Sequence, residues 1–272
     1  MLDGSKIGSV AFEGAVRVDA DAVARYAAAT NDAAPAYARG EAIPPAYPAV
    51  LAWQAMQTAM ADFVPAELQR RVVHGERDHL FHAPVRPGDE LTVRATHFAL
   101  RGGGAARYTV RLDLLKDGAV AVEQYATMVI VGVKDAASAG PDKPDHTYEP
   151  TAGAALVRHV VATDADQTYR YRDASGDTMP IHVDEAIAKK AGLPGIILHG
   201  VCTMAFAGHA AATALAGSDP ARLRRLSVRW AKYALPGAPI AFAFEQLDAG
   251  RYGFVGESDG AAVITNGRVE LV

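Results

Sequence analysis

Residues 200–216 read GVCTMAFAGHAAATALA, and apolar or small side chains fill almost every position of this run. A helix that is apolar on all sides must be buried in a protein core or in a membrane. The run is shorter than the ~20 residues that a bilayer crossing needs, and His209 interrupts it. We therefore expect a buried helix within a folded domain, and no membrane partner.

Strand-like segments follow a second apolar helix in the first half of the chain. We predict that helix over Ala49–Val64. The strands are rich in β-branched and aromatic residues and are joined by glycine-containing turns; they span Glu90–Leu100, Ala106–Lys116 and Val120–Val131, with turns at Gly102–Gly104 and Asp117–Gly118. An antiparallel sheet wrapped around the helix is the most economical way to bury it. This α+β arrangement is a hot-dog domain.

The two halves of the chain repeat the same order of elements. Phe81 in the first half and Trp230 in the second each precede a turn rich in proline and glycine. Upstream of these turns, Ala29–Pro35 reads ATNDAAP and parallels Ala174–Pro180, which reads ASGDTMP. Such self-similarity predicts two fused copies of one fold, a double hot dog.

A stretch without hydrophobic periodicity divides the two copies. Residues 135–150 contain three prolines together with several charged side chains. The chain of 272 residues is long enough for two domains that each bury a core. We predict an N-terminal hot-dog domain over residues 1–134, a linker over 135–150 and a C-terminal, catalytic hot-dog domain over 151–272.

Composition and charge exclude several classes of partner. The net charge of −4 provides no basic surface for nucleic acid or for an anionic membrane. Cys202 is the only cysteine, so no internal disulfide can form and a reducing cytoplasm fits best. Gly102–Gly104 is not followed by the helix that a phosphate-binding loop requires. We expect a cytoplasmic protein with a small-molecule site, without a nucleotide cofactor and without a metal.

Two ordered motifs in the second half resemble a known family. Tyr171–Asp184 reads YRDASGDTMPIHVD and is similar to the signature of the MaoC-like, hydratase 2 enzymes. Gly195–Thr203 reads GIILHGVCT and resembles the segment that opens the hot-dog helix in the same enzymes. Upstream, Val73–Glu76 resembles the first half of fused, double hot-dog hydratases and 3-hydroxyacyl dehydratases.

The resemblance covers nearly the whole chain and implies an activity. It implies a hydro-lyase that reversibly hydrates trans-2-enoyl thioesters to (3R)-3-hydroxyacyl thioesters without a cofactor. The expected partner is an acyl thioester of coenzyme A or of an acyl carrier protein, with a sizeable acyl group. A homodimer is possible.

The chemistry of this reaction matches Asp177 and His182. One group must move the weakly acidic proton at C2, and another must protonate or deprotonate the oxygen at C3. Pro180 lies between the two residues and favours a stiff loop, because proline lacks an N–H donor and fixes φ. We predict that both side chains converge on one water, with His182 as the base and Asp177 as its acid partner.

Gly200 is the predicted donor to the thioester oxygen, on which charge develops in the transition state. Its N–H opens the apolar helix and therefore lacks a partner within that helix. The repeat supplies an internal control, because Tyr47–Pro48 aligns with His199–Gly200 and proline has no N–H. Tyr37 likewise replaces His182, while Asp32 persists opposite Asp177. We conclude that the N-terminal domain is degenerate.

The resemblance also assigns residues that contact the substrate, namely His199, Glu76, Met179 and Pro180. Glu76 matches a position that supports activity in some relatives. Met179 is a departure from the family signature, which usually has Asn before the proline, so an amide hydrogen bond is absent here. This change affects substrate choice more than the class of reaction.

Other interpretations remain open at this stage. The chain could be a hot-dog acyl-CoA thioesterase or a protein that binds acyl thioesters without catalysis. Asp177 and His182 could be a capping carboxylate and a loop histidine, and Cys202 could be a nucleophile, although an apolar helix favours packing. A cluster of arginines could bind the phosphates of coenzyme A or simply face solvent: Arg222, Arg224, Arg225 and Arg229.

Overall fold

The computed structural model describes residues 2–134 and 136–272. Its strands are β1 (Val10–Arg17), β2 (Val72–Phe81), β3 (Glu90–Arg101), β4 (Ala106–Lys116), β5 (Ala119–Ile130), β6 (Leu156–Val161), β7 (Leu223–Trp230), β8 (Ile240–Asp248), β9 (Arg251–Ser258) and β10 (Ala261–Leu271). The α-helices are α1 (Ala20–Ala29), α2 (Pro35–Ala38), α3 (Pro48–Leu51), α4 (Trp53–Phe63), α5 (Gln167–Ser175), α6 (Glu185–Lys190) and α7 (Gly200–Leu215). Short 3₁₀ turns lie at Gly4–Lys6, Gln69–Arg71, Pro180–His182 and Pro220–Arg222.

The ten strands form one antiparallel sheet in the order β1-β3-β4-β5-β2-β7-β10-β9-β8-β6. Both halves therefore have the same internal order, with β2 and β7 side by side at the centre. The central pairing runs from Glu76 opposite Arg229 to Leu80 opposite Arg225. The predicted α+β class with two hot-dog units is confirmed, and the structure adds that the two sheets are continuous.

The long apolar helix of the second half agrees with its prediction. α7 begins at Gly200 and ends at Leu215, and most of its side chains are buried against the sheet. β7 pairs along one edge with β2 and along the other with β10, so the sheet continues on both sides of the strand that contacts this helix. In the part of the chain that the structure describes, no helix has the length and apolar character needed to cross a membrane.

The corresponding helix of the first half is interrupted, which differs from the single helix predicted over Ala49–Val64. The backbone of Ala52 has φ −96° and ψ 6°, outside the α-helical region, so α3 ends before α4 begins. The break lets Ala49, Val50 and Trp53 face one crevice together. The first half thus departs from the fold that the second half retains.

The stretch predicted as a linker crosses the outer face of the sheet. The ring Nδ1 of His146 donates to the backbone oxygen of Asn266 at 2.8 Å, and Tyr148 donates its hydroxyl hydrogen to Glu245 at 2.7 Å. Tyr148 also packs where a Cβ on Gly253 would lie, at 2.2 Å, so only glycine fits at that position. These contacts tie the segment to the second half, while the predicted domain boundaries stay a prediction.

Candidate active site

The loop after α5 positions the predicted acid and base. α5 ends at Ser175, and Gly176 follows in the left-handed conformation with φ 76°, which glycine adopts without strain. Asp177 comes next, and Pro180 then starts a 3₁₀ turn that ends at His182. Because proline at the first position suits such a turn, the sequence itself sets the geometry of this loop.

Asp177, His182 and His199 come together as the sequence analysis expected. One polar atom from each side chain lies within 4.8 Å of the other two. The Nδ1 of His182 lies 2.8 Å from the backbone oxygen of Ile197, which can only accept, so Nδ1 carries the hydrogen. In the neutral ring, the lone pair is therefore on Nε2. His182 is 8% exposed and is thus a buried imidazole with a free basic nitrogen.

His199 contacts both Asp177 and His182. As the N-cap of α7, it donates from Nε2 to the backbone oxygen of Asp177 at 3.1 Å. Its ring stacks on that of His182 with centroids 3.9 Å apart, and Tyr171 packs on it at 4.8 Å. These contacts fix both residues of the pair, so His199 is placed to position them.

Burial controls the protonation of all three groups. Burial lowers the pKa of His182 and raises the pKa of Asp177, and the attraction between the two groups only partly opposes these shifts. Burial and the neighbouring His182 lower the pKa of His199 to about 3. Burial therefore favours the neutral form of both His182 and Asp177, and His199 adds no charge at neutral pH.

The same three residues are a poor metal site. Ring nitrogens bind a metal with lone pairs that lie in the plane of each ring. The rings of His182 and His199 are stacked with an interplanar angle of 27°, so their lone pairs do not converge on one point. The arrangement suits proton transfer better than metal binding.

Gly200 begins α7, as predicted, and side-chain hydrogen bonds stabilise the first turn of that helix. Thr203 donates its hydroxyl hydrogen to the backbone oxygen of Gly200 at 2.7 Å, and the indole of Trp230 donates to Thr203 at 3.0 Å. A Cβ on Gly200 would lie 3.1 Å from the indole ring. Among the described residues, no acceptor bonds to the Gly200 N–H, which is therefore available.

Comparison with known proteins identifies domain families in both halves of the chain. A MaoC like domain matches residues 147–263, and a FAS1-like, dehydratase domain region matches residues 5–123. Residues 147–263 belong to the MaoC like domain family. A crystal structure of a MaoC-like dehydratase from Phytophthora capsici superposes with a TM-score of 0.90 at 22% identity, covering 100% of this chain and 98% of that one.

Curated relatives of this MaoC-like chain include named enzymes. It is 29% identical to 3-hydroxyacyl-thioester dehydratase Y of Mycobacterium tuberculosis over 228 residues, which cover 77% of this chain and 74% of the relative. It is 32% identical to the probable enoyl-CoA hydratase 2 of Dictyostelium discoideum over 108 residues, 39% of this chain. That match spans only 37% of the Dictyostelium protein.

A narrow crevice leads to Asp177 in this MaoC-like chain. Residues from both halves line it: Ala49, Val50, Trp53, Tyr171, Ser175, Asp177 and Val201. Its volume is about 10 Å³, so an acyl chain requires the walls to move apart. Met179 and Pro180, which were predicted to contact substrate, lie in the loop after α5 and are exposed. The wall residues of the first half were predicted only as helix core, since the break at Ala52 leaves no clear signal in the sequence.

Glu76 lies elsewhere, which corrects its predicted contact with substrate. Its neighbour Arg77 points inward towards Met56 on α4, so Glu76 points outward, because successive strand residues face opposite sides. There its carboxylate lies 2.9 Å from Lys143 and 3.6 Å from His146. Glu76 therefore fastens the stretch after β5 to the centre of the sheet.

Arginines of the cluster likewise make contacts within the protein. Arg225 is buried and pairs with Asp78 at 2.7 Å, and Arg229 lies 3.5 Å from Glu76. Arg222 donates to the backbone oxygen of Val272 at 3.2 Å. These contacts favour a structural role for the cluster over phosphate binding.

Proposed function

We propose that this MaoC-like chain catalyses the reversible hydration of trans-2-enoyl thioesters to 3-hydroxyacyl thioesters, as a hydro-lyase. The observation that carries the proposal is the cluster of Asp177, His182 and His199, which lies at the start of α7 because His199 is the N-cap of that helix and Gly200 its first residue. The names of the relatives, a 3-hydroxyacyl-thioester dehydratase and an enoyl-CoA hydratase 2, support the same reaction.

In the dehydration direction, His182 Nε2 takes the proton from C2 of the 3-hydroxyacyl thioester. The electron pair of that C–H bond forms the C2–C3 double bond as the C3–O bond breaks. Asp177, whose pKa is raised by burial, gives its proton to the departing hydroxyl, which leaves as water. Hydration is the exact reverse, with Asp177 taking a proton from water and His182 returning one to C2.

The thioester oxygen gains negative charge along this path. The N–H of Gly200 donates to it at the positive end of the α7 dipole, where a preorganised donor costs no rearrangement. His199 and the Ile197 carbonyl act as positioning groups, because they hold Asp177 and the correct tautomer of His182. Proton transfer by placed groups contributes about 10²- to 10⁴-fold for each group.

Several finer points are part of the proposal. The substrate is an acyl thioester of coenzyme A or of a carrier protein, and the hydroxyl product has the (3R) configuration, as the resemblance to hydratase 2 enzymes implies. A single cysteine and the absence of a basic surface favour a cytoplasmic location. A homodimer is compatible with these features.

The test is to incubate the purified chain with trans-2-enoyl-CoAs of several lengths and follow the loss of their ultraviolet absorbance. We expect absorbance to fall without release of free thiol, and chiral analysis to find the (3R) product. Thiol release would identify a thioesterase, and tight binding without any loss of absorbance would identify a binding protein. Either result would overturn the proposed reaction.

A further inference from the structure

Arg77 on β2 is a buried cation without an anionic partner. Its side chain is among the largest that are fully buried, with 1% exposure. Its guanidinium donates to three neutral acceptors: His79 Nε2 at 3.1 Å, Met56 Sδ at 3.3 Å and Gln124 Oε1 at 2.6 Å. Across residues 2–134 and 136–272, no carboxylate lies within ion-pairing distance of it.

Arg77 carries a positive charge, and burying that charge costs free energy. Burial lowers the pKa of Arg77 only to about 10, so the guanidinium is protonated at neutral pH. A cation in the core that lacks a counter-ion carries a desolvation penalty that neutral hydrogen bonds repay poorly. The fold does not need a charge here, because the spacing that relates Phe81 to Trp230 relates Arg77 to Leu226, which is fully buried on β7.

The guanidinium stands behind the crevice that leads to Asp177. Gln124, its acceptor, also donates to the backbone oxygen of Pro48 at 3.2 Å, next to the crevice residue Ala49. Met56 lies one helical turn after Trp53, another residue of the crevice wall. The contact of Arg77 with the flexible thioether of Met56 is weak, so a stronger acceptor can displace it.

A second unused donor accompanies Arg77. The hydroxyl of Tyr26 is buried and, within the described residues, makes no hydrogen bond of normal geometry, although the hydroxyl of Tyr171 lies close to it. Burial raises the pKa of Tyr26, and the Tyr171 hydroxyl and, to a smaller extent, the charge of Arg77 oppose that shift. Tyr26 packs edge-on against Tyr171 with ring centroids 5.7 Å apart, and Tyr171 lines the crevice. A guanidinium and an unpaired O–H therefore occupy the same region without an acceptor of matching charge.

We propose that Arg77 and Tyr26 bind a carboxylate carried by the acyl group of the substrate, which makes Arg77 the residue that selects acidic acyl thioesters. The proposal rests on the hydratase function and specifies its substrate class. A carboxylate supplies the counter-ion that the core lacks, and it can accept from both donors at once. A methyl-ended chain would leave the guanidinium unpaired.

The first test measures binding and does not depend on turnover. Isothermal titration compares saturated acyl-CoAs of matched length, one ending in a methyl group and one in a carboxylate, for five- and six-carbon chains. We expect the carboxylate-ended member to bind about 10- to 100-fold more tightly, the worth of a charge-assisted hydrogen bond. Equal affinity, or preference for the methyl end, would overturn the proposal.

Variants identify the residues responsible. Arg77→Leu, which copies Leu226 of the other half, should remove the preference while leaving affinity for the methyl-ended chain within a few-fold. Tyr26→Phe should reduce the preference by about threefold to tenfold. Thermal unfolding checks that both variants fold, and Arg77→Met serves if the leucine variant does not. Retention of the preference in both folded arginine variants would contradict the assignment.

Hydration assays separate this proposal from the proposed function. Turnover of methyl-ended enoyl-CoAs without preference for the acidic ones would retain the hydratase and refute the role of Arg77. Selective binding of acidic acyl-CoAs without any hydration would support the role of Arg77 and refute the hydratase.

Discussion

The equivalent loops of the two halves contain the same aspartate in opposite circumstances. Asp32 is 5% exposed, and its carboxylate accepts from Tyr37 at 2.8 Å and contacts His209 Nδ1 at 3.0 Å. Asp177 accepts only from the Met179 N–H, at 3.1 Å, among the residues that the structure describes. One carboxylate is thus fully occupied by protein donors, whereas the other keeps capacity for a substrate.

The other two positions differ in the same direction. The hydroxyl of Tyr37 donates its hydrogen to Asp32. His182 bonds through Nδ1, and its Nε2 has no hydrogen-bond partner among the described residues. Pro48 and Gly200 are each the first residue of a helix, but proline has no N–H to offer there. The proposed catalysis therefore depends on polar atoms without protein partners. In the N-terminal half the equivalent side chains are hydrogen-bonded to each other, and the equivalent N–H is missing.

The largest expected effect separates the two aspartates. Asp177→Asn keeps the shape of the side chain but removes its acidic proton, so kcat/KM for enoyl-CoA hydration should fall about 10²- to 10⁴-fold. The matched variant Asp32→Asn should change kcat/KM no more than a few-fold in folded protein. Comparable losses in both variants would break the comparison.

The second effect concerns the first residue of each helix. Gly200→Pro copies Pro48 and removes the N–H, so kcat should fall about 10²- to 10³-fold, as for the loss of one oxyanion donor. Gly200→Ala is the control, because it keeps the N–H but places a Cβ 3.1 Å from Trp230. If alanine and proline give equal losses, crowding against the indole explains the glycine and the N–H does not.

The third effect tests Glu76 as a fastener of the sheet. Burial alone would raise the pKa of Glu76, but His146 and Lys143 lower it to about 2, from an ordinary value of 4.5. Its stabilisation is therefore complete above pH 4.5 and is lost as pH falls through about 2. Glu76→Gln should lower the free energy of unfolding by about 1–3 kcal/mol at neutral pH, with little change in kcat.

Denaturant unfolding at several pH values measures this stability. The exposed pair of Glu13 with Arg94 provides the control, and Glu13→Gln should cost no more than about 0.5 kcal/mol. If the Glu76→Gln protein has normal stability but a much lower kcat, Glu76 acts at the substrate site and not as a structural contact.

The smallest effect is a shift in one pKa. The charge of Asp177 partly offsets the burial that lowers the pKa of His182. Asp177→Asn should therefore lower the pKa of His182 further in an NMR titration of the imidazole. Asp32→Asn should leave that value unchanged. A rise in the Asp177→Asn protein would mean that the two side chains do not interact as described.

Much of this organisation was predictable from local signals. The apolar run from Gly200 fixed a buried helix, and glycine turns set the hairpins of the first half, because both depend on short-range patterns. The repeat also predicted that Pro48 and Gly200 occupy equivalent helix starts. The spacing of Asp177 and His182 indicated a shared site, since a stiff proline turn links them.

Features that depend on packing between distant segments were not predictable. Nothing near Ala52 signals the break between α3 and α4. Glu76 was assigned to the substrate by family resemblance, and the face that its side chain takes depends on the register of β2, which the sequence does not give. The buried charge of Arg77 is visible only once Met56 and Gln124 close around it. Local sequence thus indicated the chemistry, and tertiary contacts determined its surroundings.

The most direct test of the account compares the two residues that follow the paired aspartates. Enoyl-CoA hydration is measured by the loss of ultraviolet absorbance for the unaltered chain, His182→Ala and Tyr37→Phe. The account predicts that the histidine variant loses at least about 10²-fold in kcat/KM while the tyrosine variant retains activity within a few-fold. Full activity in a folded His182→Ala protein would contradict it.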